Sequence, residues 1–207
     1  MTSKARNRSL RPGRCLTFRA PPAALFDRRL HINLSVALAD LLIVCQRLFP
    51  SAILIKPVLS SFSLLATVDP SIMDQIFMNL FVNARDAMSS GGSLTVESAL
   101  IETIPGTVLP PGIIRHGRFA RFTITDTGCG MSDETLQRLQ EPFFTTKPIG
   151  KGTGIGLSSV RRSIEVHGGW MTIQSTIGIG STFIVILPLD VSIYPKRLNL
   201  GDAKIDS

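Results

Sequence analysis

"EPFFTTKPIGKGTGIGLSSV", residues 141–160, sets two phenylalanines beside two threonines and a lysine. Glycines then recur at every second position: Gly150, Gly152, Gly154 and Gly156. Glycine costs about 1 kcal/mol relative to alanine inside a helix and loses the most backbone freedom on folding. A regular helical pattern nonetheless begins at Leu157 and runs to His167, where Gly168 and Gly169 close it. The segment contains no GxxxxGK[ST], so it is not a Walker A loop. Its GxGxGxG spacing also differs from the dinucleotide fingerprint GxGxxG. The pattern predicts a lid that feeds a helix N-terminus, where free N–H groups and a partial positive charge favour phosphate. Lys147, Lys151 and Thr153 add donors, and a lid that opens and closes over a ligand has a use for glycine.

Upstream lies a second strong helix, over residues 71–88. Asp69 is a suitable N-cap and Pro70 suits the first helical position. Ile72, Ile76, Leu80 and Ala84 recur at four-residue steps, with Met73, Phe77 and Phe81 beside them. Asn79, Asn83 and Asp86 stand at i, i+4 and i+7, one polar stripe on an otherwise apolar helix. Two Asn side chains one turn apart offer carbonyl oxygens to a hard cation and amide N–H groups to phosphate. The stripe is also what an ordinary solvent face looks like.

Between these helices, "RFARFTITD" reads as a strand and is followed by "TGCGM". Asp126 stands where the chain leaves the sheet, with Gly128 and Gly130 just beyond. A carboxylate there can accept a hydrogen bond from an exocyclic amine, and the glycines let a flat ring approach the backbone. An Asx-type turn gives the same pattern.

The remaining pattern is mixed. A helix is predicted over residues 35–48, and "AILIKPVL" and "SLLATV" read as strands. "GSLTVESALIE" alternates as a strand, residues 103–117 form a Pro- and Gly-rich loop, and Ser132 caps a short helix. "WMTIQST" and "STFIVILPL" close the domain as a strand pair turning at "IGIGS". The order predicts an α+β two-layer sandwich, a mixed and mostly antiparallel sheet of about five strands on about three helices.

Residues 1–63 carry ten Lys and Arg against two Asp and Glu, whereas residues 64–190 carry nine against eleven. The net charge of +7 therefore belongs to the N-terminal segment, not to the motifs, and does not argue for nucleic acid. "MTSKARNRSLRPGR" reads as a solvated terminus, a transit-peptide-like leader or a basic arm for phosphates. Three cysteines without a CxxC pair fit a reduced, cytoplasmic setting and exclude a disulfide frame or zinc site. No apolar run is long enough to span a membrane.

Taken in order, "NLFVNARDAM", "DTGCGM", "EPFFTTK", "GKGTGIGLS", "HGG" and "GSTF" resemble the catalytic ATP-binding domain of sensor histidine kinases. That family belongs to the superfamily with the gyrase, heat-shock-chaperone and mismatch-repair ATPases, and the resemblance is strongest to the nitrogen-regulation type. It covers residues 64–189 and implies a domain over 31–190, flanked by a basic segment (1–30, a possible hairpin remnant) and a tail (191–207).

The resemblance implies ATP and Mg²⁺ as cofactors. Asn83 would bind Mg²⁺ with the phosphates, assisted by Asn79, with Asp86 on the same stripe. Asp126 would accept from the adenine amino group, supported through water by Thr182, and Gly128 and Gly130 would make room for the base. Phe143, Phe144 and Lys147 would belong to the lid, with Lys147 near the terminal phosphates. Gly152, Thr153, Gly154, Gly156 and the Leu157 amide would contact the triphosphate.

The superfamily's ATPases carry a glutamate base where this chain has Asn79, and an amide cannot take a proton from water at neutral pH. The resemblance thus implies phosphoryl transfer to a neutral histidine rather than free hydrolysis. That histidine lies on a dimerisation hairpin in the family. His31, His116 and His167 are the only histidines here, and His31, followed by "INLSVA", has no acidic neighbour and no proline at the expected distance. The expected partners are therefore a hairpin in cis or in trans and a response regulator, with a monomer if the domain is isolated. Two alternatives share the motifs: a catalytically silent nucleotide-binding or interaction module, and a serine/threonine kinase of the anti-sigma type.

Overall fold

The computed structural model describes residues 28–103, 106, 108–109, 113–114, 116–139, 141, 144 and 156–190. The chain enters through β1 (Leu30–Asn33), α1 (Leu34–Leu48), β2 (Ile53–Val58), β3 (Leu65–Val68) and α2 (Pro70–Ala87). It continues through β4 (Gly92–Thr103), the short β5 (Val108–Leu109) and β6 (Ile113–Ile114), and β7 (Gly117–Asp126). The last elements are α3 (Asp133–Arg138), α4 (Gly156–Val166), β8 (Trp170–Thr176) and β9 (Gly180–Pro188).

Five strands form the main sheet in the order β2-β4-β7-β9-β8. Only the β2–β4 pair is parallel; the others are antiparallel. This is the predicted α+β sandwich, and its two-layer form follows from strand alternation. On β7, Ala120, Phe122 and Ile124 are buried on one face; on β9, Phe183, Val185 and Leu187 are. Opposite them lie Leu34, Leu38 and Leu42 of α1, Met73, Ile76, Phe77, Leu80, Phe81 and Ala84 of α2, and Val160 and Ile164 of α4. Phe77 meets Phe122 edge-on with ring centroids 5.0 Å apart, which fixes α2 on β7. Truncating either ring to alanine would cost about 3–5 kcal/mol.

The sequence pattern reads "AILIKPVL" and "SLLATV" as strands, and both exist, but they join different sheets. β2 lies at the edge of the main sheet, where Pro57 lacks only a donor that an edge strand can spare. β3 pairs with β1, a strand that the sequence pattern does not announce. The loop expected over 103–117 holds the two-residue pair β5–β6.

Side-chain bonds fasten β1 to the body. Asn33 Oδ1 accepts from Ser35 N at 3.1 Å and Leu64 N at 3.2 Å, so one amide both caps α1 and fixes the start of β3. Beyond β9, Asp190 Oδ2 lies 2.7 Å from His31 Nδ1 and accepts from Thr67 Oγ1 at 2.9 Å.

Candidate functional site

The Asp69 side chain accepts from Ser71 N at 2.9 Å and Pro70 opens α2, as predicted. With the apolar face buried on the sheet, Asn79 and Asn83 emerge on a flank, each half-buried. Cys45 Sγ of α1 sits 3.8 Å from Met78 Sδ, so α1 packs on one side of α2. Asn79 and Asn83 lie about 100° and 140° round the helix from Met78, turned away from α1. α4 also packs against α2. Asp86 is held by its neighbour: Arg85 Nε and one terminal nitrogen reach Oδ1 at 3.0 and 2.7 Å.

Asp126 ends β7 and is only 3% exposed. Its Oδ1 accepts the Gly128 N–H at 2.8 Å, and the Ser181 N–H is a second backbone donor to the carboxylate. Burial pushes this carboxyl above the usual carboxylate range, and the two N–H groups pull it partly back. An ionised carboxylate has about four acceptor positions, so two backbone donors leave capacity for an exocyclic amine.

The glycines beside it are explained by the chain itself. A Cβ on Gly128 would stand 2.7 Å from both Cβ and O of Ala87 at the end of α2. Gly130 has φ +66°, and a Cβ there would overlap the Thr176 carbonyl. Room for a base is therefore not what these two positions provide: the space is filled by α2 and by the β8–β9 turn. The loop is further sewn down by Cys129 N to Ala87 O at 3.0 Å and Gly178 N to Cys129 O at 2.8 Å.

The strand register does not bring Thr182 to Asp126. Asp126 pairs with Ser181, while Thr182 pairs with Thr125, their hydroxyls 3.1 Å apart. Adjacent residues on a strand point to opposite faces, so Thr182 lies on the far side of the sheet. Ser181 is the residue beside Asp126, and it is buried. Ser175 on β8 accepts from Met131 N at 2.8 Å and donates to Gly180 O at 3.0 Å. With that proton committed, the Ser181 hydroxyl donates to Ser175 at 3.0 Å and keeps its lone pairs. The signal was present in "STFIVIL": Phe183, Val185 and Leu187 are core residues, and counting back by two reaches Ser181.

Of the expected lid, Phe143, Lys147, Gly152, Thr153 and Gly154 lie outside the described residues. Phe144 is described, half-buried, with the Arg138 guanidinium 4.3 Å from its ring centroid. Gly156 and Leu157 open α4, so their N–H groups are among those that no carbonyl of the helix itself can accept. The Leu157 side chain packs on the main core. Among the described residues, no cluster of three or more His, Cys, Asp or Glu is arranged to hold a metal. Asn79 and Asn83 supply neutral oxygens, which suits Mg²⁺ held chiefly by phosphate and water.

Residues 68–191 match the family described as histidine kinase-, DNA gyrase B- and HSP90-like ATPases. The chain belongs to this ATPase family. Sensor kinase CckA of Brucella abortus (strain 2308) is 36% identical over 157 residues, covering 76% of this chain and 17% of the relative. Sensor histidine kinase ZraS of Escherichia coli K12 is 32% identical over 124 residues, covering 60% and 23%. The chain thus spans less than a quarter of these curated relatives. Among solved structures, the mycobacterial sensor histidine kinase MprB superposes with a TM-score of 0.61 at 22% identity, covering 78% of this chain and 97% of that one. Full-length ShkA, solved in complex with AMPPNP, gives 0.64 at 23% identity, covering 84% and 34%. These likenesses establish the histidine kinase ATPase fold, in keeping with the ATPase family that residues 68–191 match. No described helix is long and apolar enough to cross a membrane.

Proposed function

We propose that this ATPase-family domain binds Mg²⁺-ATP and presents its γ-phosphoryl group to a histidine carried on a separate helical hairpin. The observation that supports this best is Asp126, a buried carboxylate held by the Gly128 and Ser181 N–H groups at the end of β7. A buried anion is costly unless it serves a purpose, and an adenine amino group suits its remaining acceptor capacity. Ser181 keeps lone pairs for a bridging water.

Asn83 and Asn79 hold the cation and phosphates through neutral oxygens, and bound Mg²⁺ neutralises charge on the transferring group. The N-terminus of α4, with Gly156 and Leu157, offers first-turn N–H groups to the phosphates. Asn79 cannot act as a base, which favours transfer over hydrolysis. His167 is an unsuitable acceptor, because both its ring nitrogens are engaged. His31 has its Nδ1 on Asp190. Both facts favour an acceptor on another segment or chain, with a response regulator downstream of it.

Calorimetric titration with a non-hydrolysable ATP analogue, with and without Mg²⁺, tests the binding step. Mg²⁺-dependent binding by the parent, lost in Asn83→Ala and Asp126→Ala, is the expected result. Equal binding by parent and both variants would refute the site. Acid-labile, base-stable phosphate on a supplied histidine hairpin would then establish the transfer.

A further inference from the structure

The sequence "HGG" at residues 167–169 joins α4 to β8. Gly168 adopts φ +73° and ends α4 in a Schellman arrangement, with Gly169 N bonded to Ile164 O at 3.0 Å and Gly168 N to Glu165 O at 2.9 Å. Gly169 lies so close to β9 that a Cβ would overlap Ile186 O. This geometry directs the His167 ring toward the start of α2.

His167 is buried and bonded at both nitrogens. Nδ1 lies 2.8 Å from Ser163 O, and Nε2 lies 3.4 Å from Asp69 N. Both partners are backbone groups with one role each. A carbonyl only accepts, so Nδ1 carries the proton; an amide N–H only donates, so Nε2 is bare. The ring is thus a neutral, single tautomer.

Asp69 is the N-cap of α2. In a capping box, a Glu or Gln at N3 reaches back to the N-cap N–H. In α2 that position is Ile72, which has no acceptor. The imidazole of α4 takes its place, so the cap of one helix is completed by the end of another.

We propose that His167 is a positioning residue that locks α4 to α2 and thereby holds the N-terminus of α4 in register with the Asn79–Asn83 flank. The proposal rests on the reading of those two elements as the phosphate end of the nucleotide site. The lever is long: α4 extends roughly 16 Å, so a 10° tilt about its His167 end moves Gly156 by about 3 Å. Misplacement on that scale is enough to spoil phosphate positioning.

The test compares the parent with His167→Gln, which keeps an acceptor for the Asp69 N–H, and His167→Leu, which keeps bulk without one. Affinity for a non-hydrolysable ATP analogue is measured with Mg²⁺, alongside amide exchange across residues 156–166. The lock predicts about tenfold or more weaker binding in His167→Leu, the loss that misplaced phosphate contacts give, with faster α4 exchange. His167→Gln should stay within about threefold of the parent. Parent-like binding by His167→Leu overturns the proposal, as does equal loss in both variants, which would make shape alone responsible. If the parent does not bind the analogue, the nucleotide reading fails separately. Exchange in the free protein then decides the lock: unchanged α4 exchange in His167→Leu overturns it. A His167→Leu chain that does not fold is judged on His167→Gln, whose exchange must match the parent.

Discussion

Asp126 and Ser181 stand directly opposite each other on β7 and β9, and the Ser181 N–H is one of two backbone donors to the Asp126 carboxylate. Thr182, one residue later, turns its hydroxyl to Thr125 on the other face. Removing the Ser181 hydroxyl should therefore weaken an ATP analogue about five- to tenfold, the value of one hydrogen bond. Thr182→Val should change affinity less than about twofold. Titration calorimetry on the two variants separates them, and the opposite ranking would reverse the assignment.

Asp126 is expected to trade stability for binding. Burial raises its pKa in the folded chain above the ordinary carboxylate value of about 3.9, so folding disfavours the ionised form relative to the unfolded chain. Relative to Asp126→Asn, the parent gains stability as pH falls from the raised value to the ordinary one, and loses it again as pH rises through that window. At pH 7 the variant should be at least as stable as the parent. It should nevertheless lose analogue binding. Denaturation at pH 7 and pH 4 checks the sign; a variant that is clearly less stable at pH 7 contradicts it.

Two glycines of the motif set should respond in opposite ways to alanine. At Gly130 the new Cβ meets the Thr176 carbonyl in a left-handed backbone, so the fold itself should lose about 2–4 kcal/mol. Among the described residues outside its own helix, nothing lies within 4 Å of the Cβ position of Gly156, and alanine there should stabilise α4 by up to about 1 kcal/mol. If phosphate approaches that backbone, Gly156→Ala gains stability and loses affinity together. Thermal melts paired with analogue titrations resolve the two effects.

On the α2 flank, Asn83→Ala should remove most of the Mg²⁺-dependent part of binding, about tenfold or more in affinity. Asp86→Ala should cost less than about threefold, because its carboxylate is tied to Arg85 in an exposed ion pair. Titrations across a range of Mg²⁺ concentrations distinguish a cation ligand from a neighbouring charge.

The long elements were legible in the sequence because each carried two agreeing signals. α2 had both an N-cap pair, Asp69 and Pro70, and a four-residue apolar step. β4 and β7 had strict alternation. β1 was hidden because four residues, Leu30–Asn33, are too few to show a period, and its pairing with β3 depends on tertiary bonds through Asn33 and Asp190. The parallel β2–β4 pair could not be told from an antiparallel one, since strand direction is set by the path of the chain between them. At the site, residue types pointed to Asp126 and the Asn stripe. The glycines of "DTGCGM" fit a ligand or a turn equally well in sequence, because their crowding comes from Ala87 and Thr176, which lie more than 40 residues away on either side. The role of His167 was equally invisible, because its partner Asp69 is 98 residues earlier.

The His31–Asp190–Thr67 cluster joins the strand that enters the domain to the residue that leaves it. Asp190 N also donates to Leu65 O at 3.0 Å, so the residue that follows β9 is fastened to β3 as well as to β1. Thr67 stands two residues before Asp69, the cap of α2. A torque on the segment ahead of Leu30 thus has a short mechanical route to the helix bearing Asn79 and Asn83, like a handle bolted to one side of a hinge plate.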